Sequence, residues 1–395
     1  MKKSLFALAC GAFTYGAAEF VMMGILTQAA RDMRVSIPTA GNFISAYAIG
    51  VCVGTLMLIF GRKIGPKKLI VIFMVIAFLG DLFSASAPNA TLLVIGRFIS
   101  GLPHGAFFGT SALVAKTLAE PGKEAKAVSL TITGQTVANM LGVPAGTLIA
   151  EHLSWRLAFL ILAGVAALTV ILVAAWVPRI DPVEDAGILG QFKFLTKPGP
   201  WIILIAVFTG NTGIFSWWSY VSPWLQHVGG YASGLVPLLM MLAGFAMVVG
   251  GLVGGHLTDR WRSAGTAGLG QCLSVIGLVL VFFVPGNKID TAIFTFIISF
   301  ALFFISTPQQ LLMAEAGKGG GELIGGAAVQ VAFNLGNAVG SAVGGGMLTM
   351  SGMNYHFTAL GGIPFALTAT ILLIIYSLRY ETDTDAFERL QIVDA

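Results

Sequence analysis

Charge is what this sequence has least of: Lys, Arg, Asp and Glu together supply 10% of its 395 residues. A soluble domain carries about a quarter, so this chain cannot cover itself with a water-facing surface. Cysteine is nearly absent. Cys10, Cys52 and Cys272 each fall inside an apolar segment with no metal-ligand spacing, which argues against a disulfide framework or zinc site and reads as three small buried hydrophobes. The five histidines, at positions 104, 152, 227, 256 and 356, are scattered, unlike the clustered ligands of a membrane-embedded metalloenzyme. No Gly-Lys-Ser/Thr phosphate loop opens a helix, which removes an ATP-driven pump. The longest loop is about 20 residues, leaving no room for the soluble domain of a receptor. The net charge of +4 is spread over short loops and offers no patch for nucleic acid.

What is present is apolar. Hydrophobic residues make up 56% of the chain, mean hydropathy is +0.87, and there are 50 glycines, a residue that membrane helices use for close packing. A spanning helix needs about 20 mostly apolar residues. That length predicts spans near 5–26, 40–60, 69–87, 91–115, 128–150 and 156–177, then 200–222, 235–257, 265–284, 290–313, 323–349 and 357–379. The start, Lys2-Lys3 before an apolar run, imitates a signal peptide, but the run continues to Leu26 and holds Glu19; it reads as a retained first helix. With the N-terminus cytoplasmic, Arg31, Arg34, Arg156 and Lys288 lie outside and Arg97 within a span, leaving 17 of 22 basic residues inside. The positive-inside rule then predicts both termini in the cytoplasm.

A polar stretch, 179–199, separates residues 1–178 from residues 200–395, and the two halves resemble each other. Phe13-Thr14 recurs as Phe208-Thr209, and Gln135-x3-Asn139 recurs as Gln330-x3-Asn334, both 195 residues later. A tandem six-span repeat implies a substrate site at the interface of the repeats. Small residues recur every four positions: Ala46, Gly50 and Gly54 in span 2, Ala246, Gly250 and Gly254 in span 8, Gly134, Ala138, Gly142 and Gly146 in span 5, and Gly336, Gly340 and Gly344 in span 11. Each stripe lets another backbone approach closely.

Ionisable residues within spans are costly and mark ion pathways. Four stand out here: Glu19, Asp81, Arg97 and His104. Glu19 lies roughly 10 Å from the outer end of span 1 at a rise of about 1.5 Å per residue. Arg97 and His104 are two turns apart and share a face with Gly101. A carboxylate in a low-dielectric cavity can load and release a proton near neutral pH, and an imidazole starts in that range. Glu19 and His104 therefore read as an exchangeable pair with Arg97 tuning it; the rival reading is a permanent ion pair of Arg97 with Glu19 or Asp81. On the substrate side the candidates are Gln135, Asn139, Asn211, Gln309, Gln310, Gln330, Asn334 and Asn337, with aromatic faces from Tyr15, Tyr47, Trp217 and Trp218. Amides and rings suit a neutral polyhydroxyl or heterocyclic solute better than an ion. Trp217 and Trp218 also sit where an interfacial aromatic belt is expected.

Several motifs carry a resemblance. Ala18-Glu19-Phe20 with Met23-Gly24-Ile25-Leu26, Arg97-x3-Gly101-x2-His104-Gly105, Gly142-Val143-Pro144-Ala145-Gly146, Ser154-Trp155-Arg156 and Phe333-Asn334-Leu335-Gly336 occur in order along the chain. Together they resemble the major facilitator superfamily, in particular its drug:proton antiporter branch and the arabinose-efflux-permease-like sugar exporters. The resemblance implies an all-α membrane protein, with twelve transmembrane helices in two pseudo-symmetric six-helix bundles. It also implies a proton-coupled exporter of a small neutral solute, sugar-like or drug-like, in a bacterial inner membrane. A facilitator or uptake symporter could use the same scaffold. The expected partners are a small-molecule substrate, protons and lipid, with no cofactor, no enzymatic activity and, by fold analogy, a monomeric state. Gly142, Pro144 and Gly146 would act in gating. The family's Asp-Arg gate is intact at Asp259-Arg260, whereas Arg62 stands where its first-half counterpart has Asp.

Overall fold

The computed structural model describes residues 2–61, 63–120, 123–180, 193–316 and 322–381. Arg62 and most of the 179–199 connection lie outside them. In chain order the helices are α1 (Lys2–Met33), α2 (Ile37–Gly54), α3 (Met57–Gly61), α4 (Pro66–Ser86), α5 (Ala90–Gly101), α6 (His104–Leu118), α7 (Glu124–Val137), a π-helical turn (Ala138–Gly142), α8 (Val143–His152) and α9 (Trp155–Trp176). There follow α10 (Pro198–Trp218), α11 (Val221–His227), α12 (Val236–Arg260), α13 (Ser263–Phe283), α14 (Lys288–Phe304), α15 (Ser306–Ala316), α16 (Glu322–Met350) and α17 (His356–Arg379).

Among the described residues, ten helical stretches are long and apolar enough to cross a membrane. The remaining two expected spans fall on α7–α8 with its π turn and on α16, whose glycines, amides and threonines lower their hydropathy. Large apolar side chains point outward, Leu79, Ile171, Phe283 and Leu378 among them, as a hydrocarbon solvent permits. The same solvent explains one departure from expectation. Cys272 is exposed and Cys10 and Cys52 are only half-buried, because a thiol facing lipid loses nothing by leaving the core.

The chain divides into two units, Met1–Asp185 with Ser233–Met241, and Ala186–Ala232 with Leu242–Ala395. In the first, α1 packs on α7 and α9, α4 on α9, and α2 on α5. In the second, α10 packs on α16 and α17, and α13 on α17. Counted in spans these are 1 with 5 and 6, 3 with 6, then 7 with 11 and 12, 9 with 12, so the same pairings recur. The glycine stripes make them possible. A Cβ at Gly134 would fall 1.9 Å from Ala9 O, and one at Gly50 2.3 Å from Phe98 O. In the second unit Gly336, Gly340 and Gly344 meet Phe208 O, Thr212 O and Ser216 O at 2.6, 2.7 and 2.0 Å, and Gly250 meets Phe300 O at 2.1 Å. Each of these stripes seats a neighbour within its own unit.

Helix starts are closed by side chains where few residues connect the spans. Ser36 accepts from Thr39 N–H, Asn89 from Leu92 N–H, Ser154 from Arg156 N–H, and Asn287 from Ile289 and Asp290 N–H, satisfying donors a helix terminus leaves open. The Ser154-Trp155-Arg156 motif gains a physical role here. Trp155 Nε1 donates to Asp32 Oδ2 at 3.0 Å, Arg156 pairs with the same oxygen, and Arg156 Nη2 donates to Ala87 O at 2.9 Å. The ends of α1, α4 and α9 are thereby tied.

Candidate functional site

The four ionisable residues expected within spans all lie in the first unit, and all are buried. Tyr15 and Glu19 are one turn apart on α1 and share a face. Span 4 is interrupted: α5 ends at Gly101, α6 begins at His104, and Pro103 between them has no N–H to offer. His104 thus opens a new helix inside the unit. Gly101 brings α2 onto this break, since a Cβ there would meet Tyr47 O at 2.2 Å. Tyr47 arrives beside His104 as a result.

The Glu19 Oε2 and His104 Nε2 atoms are 3.9 Å apart, with side-chain exposures of 5% and 1%. On the other side of the ring, His104 Nδ1 is 2.8 Å from the Tyr47 hydroxyl, which also lies 3.3 Å from Tyr15 O. The carbonyl can only accept, so two arrangements exist. Tyr47 donates to Tyr15 O while Nδ1–H donates to Tyr47, or Tyr47 donates to Nδ1 while Nε2 carries the hydrogen toward Glu19. The orientation of one hydroxyl is linked to the imidazole tautomer, and through it to which hydrogen faces the carboxyl group. Tyr15, Phe107 and Phe108 enclose the assembly, with the Tyr15 and Phe108 ring centroids 5.4 and 5.2 Å from that of His104.

Arg97 is fully buried and makes neither ion pair of the rival reading. Its Nε donates to Phe43 O at 3.2 Å, and its guanidinium stacks 4.4 Å over Tyr47 and 5.3 Å over Phe159. Nη1 and Nη2 have no hydrogen-bond partner among the described residues. Stacking on an aromatic face offsets part of that cost. Asp81 Oδ1 accepts from Ser100 Oγ at 2.6 Å, while Oδ2 has no donor among the described residues. Glu19 and His104 therefore face each other at 3.9 Å, His104 Nε2 having no hydrogen-bond partner among the described residues; Arg97 reaches the group through the Tyr47 ring, and Asp81 approaches span 4 through Ser100, a residue the sequence reading did not single out.

Tyr15 and Tyr47, read from the sequence as solute-facing rings, have their hydroxyls engaged within the unit; Tyr15 donates to Phe73 O at 2.9 Å. The amides are mixed. Asn139 lies on the π turn, 3% exposed, and neither side-chain polar atom has a partner among the described residues. Gln135 is half-buried against Gly16. In the second unit Asn211 donates to Val207 O and Asn334 to Gln330 O, each leaving its carbonyl oxygen without a donor among the described residues. Gln309 and Asn337 are buried, Gln330 is half-buried, and Gln310 is exposed on α15. Of the gating candidates, Gly142 seats Phe13, Gly146 seats Val21, and Pro144 stands in the first turn of α8. Asp259 and Arg260 are exposed at the end of α12.

Tyr47→Phe deletes the hydroxyl that links tautomer to carbonyl and keeps the ring under Arg97. The purified protein is expected to lose about 0.5–1.5 kcal/mol of stability, the worth of one hydrogen bond, read as a lower thermal midpoint; an unchanged midpoint would show that the hydroxyl contributes no bond.

The family model described as Major Facilitator Superfamily matches residues 8–321. AraJ of Escherichia coli (strain K12), itself a candidate transporter, is 39% identical over 382 residues, covering 96% of each chain. The inner membrane transport protein YdhP of the same strain is 33% identical over 381 residues, covering 96% of this chain and 97% of its own. Among solved structures, a bacterial homologue of the human lysosomal transporter Spinster superposes with a TM-score of 0.68 at 16% identity, covering 94% of each chain. A multi-pass helical membrane protein, this chain belongs to the major facilitator superfamily.

Proposed function

We propose that the protein is a proton-coupled exporter of a small neutral solute, sugar-like or drug-like, working by alternating access as a monomer with both termini in the cytoplasm. The observation that carries the reading is the buried Glu19–His104–Tyr47 string, an acid facing an imidazole at 3.9 Å with a hydroxyl on the far side. Buried ionisable groups inside a membrane protein are functional by default, and a salt bridge serving only stability would place Arg97 on a carboxylate. In contrast, α10 and α13 of the second unit carry no charged residue and present carboxamides instead. That division favours a proton on the first unit and a neutral solute held by amides of the second, Asn334 among them.

Proteoliposomes enclosing a pH-sensitive dye test it, with a panel of sugars and cationic drugs added outside. Solute-induced proton movement opposite in direction to the solute is the expected result. Movement of solute and proton together would make the protein a symporter, and solute movement without protons a facilitator; either result overturns the antiport reading.

A further inference from the structure

In the second unit three indoles form one cluster where α10 passes into α11. The Trp217 ring centroid lies 5.9 Å from that of Trp218 and 5.1 Å from that of Trp224. None of the three is more than 1% exposed, so they are not the lipid-facing belt their position suggested. No indole N–H finds an acceptor among the described residues, and neither does the Ser219 hydroxyl find a partner. Buried tryptophans normally satisfy that donor, and a donor left without an acceptor forfeits the bond it would make in water. Three such donors fall within residues 217–224.

A second observation lies two turns back along α10. Gly210 shares a face with Trp217 at a spacing of seven residues, and a Cβ there would come 2.7 Å from Gln271 Oε1 and 3.1 Å from its Nε2. Gln271, on α13, is fully buried, and neither amide atom has a hydrogen-bond partner among the described residues. The repeat makes the contrast plain. The residue 195 positions before Gly210 is Tyr15, whose hydroxyl donates to Phe73 O, whereas the Gln271 amide beside Gly210 is unbonded among the described residues.

We propose that Trp217, Trp218, Trp224 and Gln271 form a solute subsite for a neutral molecule with several acceptor oxygens on a ring-shaped body. Indole N–H groups only donate, so the occupant must accept. Residues 198–226 and 263–287 contain no charged side chain, so nothing there would balance an anion. Indole faces accommodate a flat ring or the C–H face of a saturated one. Gln271 supplies both a donor and an acceptor for a hydroxyl. The subsite rests on the reading that this chain carries a neutral solute, and deepens it by naming residues besides Asn334.

The test is equilibrium dialysis of the full chain in lipid nanodiscs against the 4-nitrophenyl glycosides of glucose, galactose, arabinose and xylose, read by absorbance. At least one is expected to bind saturably. Trp217→Phe, Trp218→Phe and Trp224→Phe keep a ring and delete one N–H, and each is expected to weaken binding about three- to tenfold. Gln271→Leu should weaken it at least as much, while Trp261→Phe, remote in sequence and 40% exposed, should change nothing. Size-exclusion profiles verify folding, and the four separate variants protect the test against one that misfolds. Unchanged affinity in the three Phe variants, or no binding of any glycoside by wild type, overturns the subsite. Solute-driven proton flux surviving either result leaves the coupling reading standing; glycoside binding lost in the Phe variants without any proton flux from wild type leaves the subsite standing and removes the coupling.

Discussion

Glu19→Gln protein in proteoliposomes is expected to bind and exchange solute but to lose all accumulation driven by a pH gradient or membrane potential. The amide has the shape of the protonated acid, so packing around Tyr15, Tyr47 and His104 changes little. It cannot give up or take a proton at any accessible pH, so the cycle of loading and release stops. One elementary charge crossing about 100 mV is worth roughly 2.3 kcal/mol, which supports a solute gradient of about 50-fold at one proton per solute. The variant should hold a ratio of one. Counterflow of labelled against unlabelled solute should persist, because exchange needs only the loaded carrier to reorient. His104→Gln should give a milder defect, since Glu19 would retain its proton site and lose only its neighbour at 3.9 Å. Undiminished gradient-driven accumulation in Glu19→Gln would reduce the carboxylate to a structural group and move attention to Asp81, the other buried acid of this unit.

How much of this was legible in the residues follows from what membranes constrain. Hydrocarbon imposes a length and a composition on every span, so all twelve passages, including the two Gly-rich ones, could be read from the chain. The cost of burying charge singled out Glu19, Asp81, Arg97 and His104, and the positions of the first and last on facing helices meet in the structure. What could not be read is what depends on helix rotation and on breaks. Pro103 inside span 4 is visible, but that it starts a new helix at His104 is decided by Gly101 and Tyr47 packing across from it. The π turn at Ala138–Gly142 is equally silent, because an extra residue in a turn leaves no periodic trace in so short a stretch. Arg97, read as tuning the Glu19–His104 pair or else as ion-paired to an acid, lies on two aromatic rings. Gln271 carried no signal at all, because a single amide in an apolar run looks like any tolerated polar residue until its missing partners are counted. Trp217 and Trp218 left two readings open, solute-facing rings or an interfacial belt, and their burial removes the belt. Tyr15 and Glu19, four apart on span 1, share a face and so share whatever packs against it.

Gly54→Ala, a single added methyl, is expected to cost more stability than any of the single-hydrogen-bond deletions above. A Cβ at this position would fall 1.6 Å from Leu102 O, 2.3 Å from its carbonyl carbon and 2.6 Å from its Cα. All three atoms are backbone, so no side-chain rotamer can make room. Relief requires α2 and span 4 to separate, and the segment pushed away is the turn at Leu102–Pro103 that places His104. Overpacking in a well-filled interior costs about 1–3 kcal/mol when side chains can adjust; a fixed backbone on both sides puts this site at or above the top of that range. Two results should follow together: a lower thermal midpoint with reduced monodisperse yield, and coupling impaired in whatever protein survives, because Tyr47 and His104 stand on the two elements being separated. Gly54→Val should be worse in both. Gly164→Ala is the matched control, since a Cβ there meets nothing within 4 Å, and it should behave as wild type. If Gly54→Ala kept wild-type stability and proton flux, α2 and span 4 would have to stand further apart in the membrane than they do here. The placement of Tyr47 against His104, on which the coupling argument depends, would then be lost with it.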